Sequence, residues 1–236
     1  VQQTLERALA TLLREKIEVT GAGRTDTGVN ASYYVAHFDC AEPVPDPAQV
    51  VYKLNFLLPG DIAVGSMTPV DDGAHARFAA REREYRYYIE PRKNPFTRGT
   101  TWQYYVPLDL GRMNEAAAML TEYDDFTSFA KLHTDTRTNI CRVTHAAWHP
   151  LTASPLDPPG FDTGRWYFEI TADRFLRNMV RAVVGTLVEV GRGKLSADGF
   201  SDIIARRDRC AAGTSMPGGP LFLYNVTYPY LNSTPI

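Results

Sequence analysis

The sequence has 236 residues, of which 44% are hydrophobic and 22% charged, as in an ordinary globular protein with one large domain or two modest ones. It has no apolar run of the roughly 18 to 20 residues that a membrane helix requires, and residues 1–13 lack the architecture of a signal peptide. We therefore expect no membrane association. The net charge is −2, and the three cysteines lie far apart, so we expect no disulfide framework and a cytoplasmic location.

The spacing of apolar residues predicts the elements of the first half of the chain. It predicts helices over 2–14 and 50–58, and strands over 17–20, 33–38, 62–70 and 83–90. A glycine-rich loop, 21–28, follows the first strand. The segment 91–99 is rich in Pro, Lys and Arg, and it is the candidate boundary between an N-terminal subdomain, 1–98, and a C-terminal subdomain, 99–236.

The second half contains the same mixture of elements. The pattern predicts helices over 110–123, 175–190 and 196–206, strands over 139–149, 166–172 and 221–228, and a proline-rich loop over 152–164. Helices and strands do not alternate regularly, which favours an α+β fold with antiparallel sheet over a parallel α/β fold.

Basic residues are concentrated in two stretches despite the near-neutral net charge. Residues 77–98 contain seven basic and three acidic side chains, and residues 165–194 contain six basic and three acidic ones. Such stretches are typical either of a basic cleft that binds nucleic acid or of ordinary solvated faces.

The loop 21–30, with the sequence GAGRTDTGVN, is the strongest local signal. Its three glycines permit a tight turn and a close approach of backbone to a ligand. It is not a dinucleotide fingerprint, because Asp26 occupies the place of the third glycine, and it is not a phosphate loop, because no Gly-Lys-Ser/Thr follows. Asp26 is therefore either a functional carboxylate or the acceptor of a structural turn.

His145 and His149 are the candidate metal ligands by spacing. The alternation of this segment places both on one strand face, and neither a cysteine nor a second ligand pair accompanies them in the sequence. We therefore predict no metal site and no cofactor.

The loop 21–30 resembles the catalytic-aspartate motif of TruA-type pseudouridine synthases, which is Gly-Arg-Thr-Asp followed by Gly-Val. Further blocks resemble that family in the same order, at residues 1–13, 57–64, 75–87, 125–129, 175–191 and 221–229. The sequence starts just past the place of a first family strand with a Tyr-Asp-Gly motif. Asn30 stands where the family often has His.

The resemblance implies a pseudouridine synthase fold, with two related subdomains whose mainly antiparallel sheets join across a central cleft. It implies that Asp26 is the nucleophile, attacking either C6 of the uracil or C1′ of the ribose. It also implies that Arg181 is the partner of Asp26, since an opposite charge favours the ionised carboxylate. Arg177 and Arg181 stand four positions apart, on one face of the predicted helix.

The resemblance further assigns residues that bind the substrate. Arg24 is expected to occupy the space of a flipped-out nucleotide and to bind phosphate, the alternative being a salt bridge to Asp26. Tyr85 is expected to stack on the flipped uracil and to assist proton transfer at C5, with Tyr87 in the core. An apolar wall that keeps out water, or else an ordinary helix core, is formed by Phe175, Leu176, Met179 and Val180.

The implied function is a tRNA pseudouridine synthase that acts as a homodimer on positions 38, 39 and 40 of the anticodon arm. Two alternatives belong to other classes. The chain could bind RNA without catalysis, or it could be an aspartate-based hydrolase, which requires a second carboxylate or a metal beside Asp26.

Overall fold

A computed structural model describes residues 1–132, 138–151 and 164–231. The helices are α1 (Gln2–Leu13), α2 (Pro47–Leu57), α3 (Leu110–Ala118), α4 (Met179–Gly191) and α5 (Ala197–Arg206). The strands are β1 (Thr20–Gly21), β2 (Asn30–Ala31), β3 (Ala36–His37), β4 (Glu82–Glu90), β5 (Trp102–Gln103), β6 (Val143–Pro150), β7 (Trp166–Ala172) and β8 (Leu221–Thr227). Short 3-10 turns lie at Pro95–Thr97, Met119–Glu122 and Thr127–Phe129.

The chain divides into two compact units that differ from the predicted subdomains. The first unit comprises residues 1–24 and 35–80, and the second comprises residues 25–34 and 81–236. The predicted boundary between residues 98 and 99 is a different division of the chain. The difference arises from strand pairing. The strand β4 is hydrogen-bonded to β7 and β8, which lie far along the sequence, so β4 belongs to the second unit.

In the first unit, α1 and α2 pack around a small apolar core. Ala8 and Leu9 of α1 are buried with Ile17, Val19, Leu54 and Leu58. The helix α2 has a proline in its first turn, and Asp46 is its N-cap. The Asp46 side chain accepts a hydrogen bond from the Gln49 N–H at 2.9 Å. The predicted strands at 17–20 and 33–38 are reduced to the short antiparallel pair of β1 and β3.

The predicted strand at 62–70 is wrong. Ile62, Val64 and Met67 pack against the core of the first unit, but their backbone has no strand partner in the described part of the chain. The side-chain amide of Asn55 takes that place. Its Nδ2 donates to the Val64 carbonyl at 2.9 Å, and its Oδ1 accepts from the Val64 N–H at 2.8 Å.

The second unit is built on a six-stranded sheet with the order β2-β8-β4-β7-β6, and β5 pairs with β4. The long pairs of β4 with β7, β4 with β8, and β6 with β7 are antiparallel, while the two-residue strands β2 and β5 pair in parallel. One face of the sheet is buried in a core with the helices, as Tyr87, Phe168 and Ile170 show. The predicted α+β fold with mainly antiparallel sheet is confirmed.

The central helix α4 buries 11 of its 13 residues, so it is a core helix rather than an amphipathic surface helix. We predicted that it begins at residue 175, whereas it begins at Met179. Asn178 has a φ of 67°, which is left-handed and cannot continue a right-handed helix. Residues 175–178 therefore form a turn that leads into α4.

The remaining predicted helices and strands agree with the structure, apart from the residues at which they begin and end. The helix α5, predicted over 196–206, begins after Ser196, whose hydroxyl accepts a hydrogen bond from the Gly199 N–H at 3.0 Å and so caps the helix. The predicted helix 110–123 ends at Ala118 and continues as a 3-10 turn, and the strand predicted from 139 begins at Val143. The predicted loop 152–164 lies outside the described residues except for Gly164. No helix among the described residues is both long and apolar enough to span a membrane.

Candidate active site

Asp26 lies in a turn at the start of the second unit. Its carbonyl accepts a hydrogen bond from the Val29 N–H at 3.1 Å, and Gly28 has a φ of +81°, which favours glycine. The side chain of Asn30 then donates from Nδ2 to the Gly219 carbonyl at 2.7 Å. Because β2 also pairs with β8, the Asp26 turn is fixed at its C-terminal end to the sheet of the second unit.

The Asp26 carboxylate faces two guanidinium groups. Arg181 donates from Nη1 to Oδ2 at 3.3 Å, and Nε of Arg177 lies 3.8 Å from Oδ1. The side chains of Asp26 and Arg181 are 18% and 23% exposed, whereas that of Arg177 is 61% exposed. The structure thus brings together the two residues that sequence reasoning had paired, and Arg177 adds a second, accessible cation.

Arg177 does not lie on one helix face with Arg181, so that prediction was wrong, although both residues reach Asp26. Arg177 precedes α4 and lies in the turn before it. Its carbonyl accepts a hydrogen bond from the Lys131 N–H at 3.0 Å, which ties this turn to the segment after Phe129.

Arg181 is oriented by the loop 209–216. Its Nε donates to the Met216 carbonyl at 2.5 Å, and the Met216 N–H donates back to the Arg181 carbonyl at 3.1 Å. The hydroxyl of Ser215 in the same loop is hydrogen-bonded to the Asn178 amide and to Nη2 of Arg209. With Nε held by Met216, the Nη atoms of Arg181 remain for Asp26.

The loop 209–216 approaches α4 so closely that α4 needs a glycine at the contact. A Cβ atom on Gly185 would lie 1.9 Å from the Thr214 carbonyl oxygen, well inside van der Waals contact. The hydroxyl of Thr186, beside it, accepts a hydrogen bond from the Gly213 N–H at 2.9 Å. The position of Met216, and so that of Arg181, depends on this backbone contact.

A cavity of about 780 Å³ opens beside Asp26 within the second unit. It is lined by Asp26, Thr27, Lys131, Leu132, Arg177, Asn178, Arg181 and Arg209. Four of these residues are cationic and one is acidic, so the cavity attracts anions and suits a phosphate backbone. Sequence reasoning missed Lys131 and Arg209, because no motif marks either residue.

Tyr85 and Phe175 lie side by side at the edge of the core. Their rings meet edge to face, with centroids 5.0 Å apart and an interplanar angle of 83°. Burial raises the pKa of Tyr85 to about 12, and the nearby charge of Asp26 adds to the rise, so the phenol stays protonated at neutral pH. Tyr87 is fully buried in the core, and burial also raises its pKa.

The predicted apolar wall is only partly accessible. Phe175 is half-buried, whereas Leu176 is 5% exposed and Met179 is 0% exposed, both within the core. Met179 therefore packs within the core, and its side chain exposes no surface to the site.

Arg24 is exposed at the end of the first segment of the first unit, two residues before Asp26. The ion pairs that the structure describes for Asp26 are those with Arg177 and Arg181. Among the described residues that line the cavity, Asp26 is the one acid, so the second carboxylate that a hydrolase requires does not lie there.

Comparison with known proteins identifies relatives of the chain. Residues 116–229 match a family sequence model described as tRNA pseudouridine synthase. A protein of Bacteroides thetaiotaomicron named tRNA pseudouridine synthase A is 56% identical over 97% of this chain and 82% of its own length. Proteins of the same name from Porphyromonas gingivalis and Bacillus subtilis are 53% and 41% identical over 97% of this chain, and over 88% and 89% of their own lengths.

Proposed function

We propose that this chain, which belongs to the tRNA pseudouridine synthase A family, isomerises uridine to pseudouridine in transfer RNA. The nucleophile of this reaction is the Asp26 carboxylate. The observation that carries the proposal is the position of Asp26. Its carboxylate lies 3.3 Å from one guanidinium and 3.8 Å from another, beside a cavity lined by cations. An accessible carboxylate with a fixed orientation is what nucleophilic catalysis requires.

The reaction moves one bond of the uracil and needs no redox partner. An oxygen of Asp26 forms a bond either to C1′ of the ribose or to C6 of the base, and the bond between N1 and C1′ breaks with its electron pair on the base. The detached uracil turns and forms a bond from C5 to C1′. The proton on C5 leaves to water, N1 takes up a proton, and the bond to the Asp26 oxygen breaks, which releases the carboxylate.

The cations of the cavity supply the binding site for the RNA backbone. Arg177 is 61% exposed beside Asp26, and Lys131 lies on the same cavity. Guanidinium and ammonium groups bind phosphate oxygens strongly, and such contacts account for much of the affinity for nucleic acid. We expect these residues to hold the phosphates that flank the target uridine.

Tyr85 and Phe175 supply the apolar side of the uracil site. The Tyr85 ring stacks on the flipped base, and its hydroxyl, which stays protonated at neutral pH, assists proton transfer at C5. Phe175 forms the accessible part of the water-excluding wall, with Leu176 and Met179 behind it. Arg24 fills the space that the flipped nucleotide leaves in the RNA.

We extend the proposal to four finer points that rest on the family resemblance. The target uridines are positions 38, 39 and 40 of the anticodon arm, the enzyme acts as a homodimer, and it works in the cytoplasm without a cofactor.

Release of tritium from tRNA transcripts labelled at C5 of uridine tests the reaction, because forming the new bond expels the C5 hydrogen into water. We expect release by the wild-type protein and none by Asp26→Asn, which keeps the shape of the side chain but removes its charge. Asp72→Asn, at an exposed carboxylate of the first unit, is the matched control and should release tritium at the wild-type rate.

The same assay distinguishes the alternative function. A protein that binds tRNA tightly but releases no tritium, with or without Asp26, would be an RNA-binding protein and not an enzyme. Mapping the product along the anticodon arm then tests the proposed positions.

A further inference from the structure

Three side chains with metal-binding atoms converge on the sheet of the second unit, on the face opposite the buried core. They are His145 and His149 of β6 and Glu169 of β7. We propose that these residues form a binding site for a divalent transition-metal ion of the zinc type. The site shares no residue with the cavity beside Asp26, and it was not predicted because Glu169 is remote from the histidines in the sequence.

Strand register brings the three side chains to one face. Glu169 pairs with Ala147, which lies midway between His145 and His149 on β6. Four residues of strand span about 13 Å, yet the two imidazole rings stack with centroids 5.9 Å apart and an interplanar angle of 18°. The rings therefore lean towards each other over the small side chain of Ala147, with Glu169 beside them.

The distances suit a metal after small side-chain rotations. One ligand atom from each residue lies within 4.8 Å of the other two, and Nε2 of His145 is 3.5 Å from Oε1 of Glu169. Ligand atoms on a tetrahedral zinc ion lie roughly 3.3 Å apart, given metal–ligand bonds near 2.0 Å. Two imidazoles and one carboxylate are a common ligand set for zinc, and they leave a fourth position for water.

An unsatisfied nitrogen is the second observation that points to a ligand. Nε2 of His149 is buried and has no hydrogen-bond partner among the described residues. Buried polar atoms nearly always have a partner, so an orphan of this kind calls for a ligand, an ion or a water molecule. A coordinate bond to a metal ion would satisfy this nitrogen.

The charges around the site favour a cation. Arg86 binds Oε2 of Glu169 at 3.0 Å and Oε1 of Glu84 at 2.8 Å, and its guanidinium lies 3.4 Å from the centre of the Tyr224 ring. This arrangement holds Arg86 on the far oxygen of Glu169 and leaves Oε1 facing His145. Two carboxylates against one guanidinium give the group a net negative charge, which attracts a divalent ion.

Metal titration of the full chain tests the site. After treatment with a chelator, the protein is titrated with Zn²⁺ by calorimetry and with Co²⁺ by visible absorption. We expect one ion per chain, and an affinity at least tenfold weaker in His145→Ala and in His149→Ala. Cys210→Ser changes an exposed residue outside this group of ligands, so it should bind metal as the wild type does.

A second readout does not depend on activity. Because the ion would join β6 to β7, Zn²⁺ should raise the melting temperature of the wild-type protein and not that of His149→Ala. Circular dichroism checks that both variants fold. The His145 side chain is 46% exposed, so we expect His145→Ala to keep the fold.

Three results would overturn the proposal. The first is that neither metal binds, and the second is that both histidine variants bind metal with the affinity of the wild type. The third is a thiolate-to-cobalt charge-transfer band in the Co²⁺ spectrum. The last would assign the metal to a cysteine such as the exposed Cys210.

Discussion

Arg181 donates from Nη1 to Oδ2 of Asp26 at 3.3 Å, across 155 positions of the sequence. The same guanidinium donates from Nε to the Met216 carbonyl, so its plane is set by the loop 209–216. The active site therefore depends on three segments that are distant along the chain: the Asp26 turn, the start of α4 and this loop.

Replacement of Arg181 by lysine should separate charge from geometry. A lysine has one ammonium group and cannot bind both Met216 and Asp26 as the planar guanidinium does. We expect Arg181→Lys to fold normally and to lower the maximal rate of tritium release about 100-fold, the cost of losing one oriented donor. Arg192→Lys, at a surface ion pair with Glu189, is the matched control and should keep its rate. A near-normal rate in Arg181→Lys would show that charge alone suffices.

Arg24→Ala should impair modification more than folding. Arg24 is exposed, so its removal should change the free energy of unfolding by less than about 0.5 kcal/mol. If its guanidinium fills the space of the flipped nucleotide, single-turnover rates on tRNA should fall at least tenfold. Arg14→Ala, at the end of α1, serves as a control for loss of an arginine in the same unit. An unchanged single-turnover rate would exclude the flipping role.

Tyr85→Phe should retain tRNA binding and lose the contribution of the hydroxyl to the rate. It should also change stability in alkali, because burial raises the pKa of Tyr85 from 10.0 to about 12. Above about pH 10 the unfolded chain loses this proton while the folded chain keeps it, so stability falls as pH rises towards 12. Up to about 3 kcal/mol of that fall should be absent in Tyr85→Phe, and denaturation at several pH values measures the difference. Lost tRNA affinity would instead place the hydroxyl in binding.

Gly185→Ala should disturb the site from within the core. The added Cβ would lie 1.9 Å from the Thr214 carbonyl oxygen, so the loop that holds Met216 must shift. We expect a loss of about 1–3 kcal/mol in the free energy of unfolding, together with a lower rate as Arg181 loses its orientation. Gly73→Ala, where a Cβ meets nothing within 4 Å, is the control for a change of glycine to alanine. Wild-type stability in Gly185→Ala would mean that the loop adapts freely.

Asn30→Asp should weaken the anchor of the Asp26 turn. Nδ2 of Asn30 donates to the Gly219 carbonyl at 2.7 Å, and an aspartate would replace this donor with a charged acceptor that faces another acceptor. The expected cost is about 1–3 kcal/mol of stability, read from the urea midpoint, with a slower reaction. Asn30→His, which offers a ring N–H, should retain most of both. Equal stability of the aspartate variant would show that this hydrogen bond contributes little.

Local sequence patterns correctly predicted the helices and strands whose buried side chains follow the regular spacing of that element. The alternation of residues 83–90 and 166–172 and the serine at the start of α5 each carry their structural reason within a few residues. The pattern failed at 62–70, where apolar residues pack against the first unit but the backbone binds the side chain of Asn55. It also failed at 175–178, where a left-handed Asn178 delays the helix.

By itself, the sequence determined the Asp26 motif and the resemblance to the family, because a motif keeps its chemistry within a short run of residues. The choice of Arg181 as the partner of Asp26 came from that resemblance. Only the tertiary structure decided that Arg177, Lys131 and Arg209 line the same cavity, that Met216 orients Arg181, and that Met179 is buried behind the wall. It alone placed Glu169 beside His145 and His149, through strand register. The physical reason is that these contacts join residues far apart along the chain, where packing and pairing, and not local periodicity, set which side chains meet.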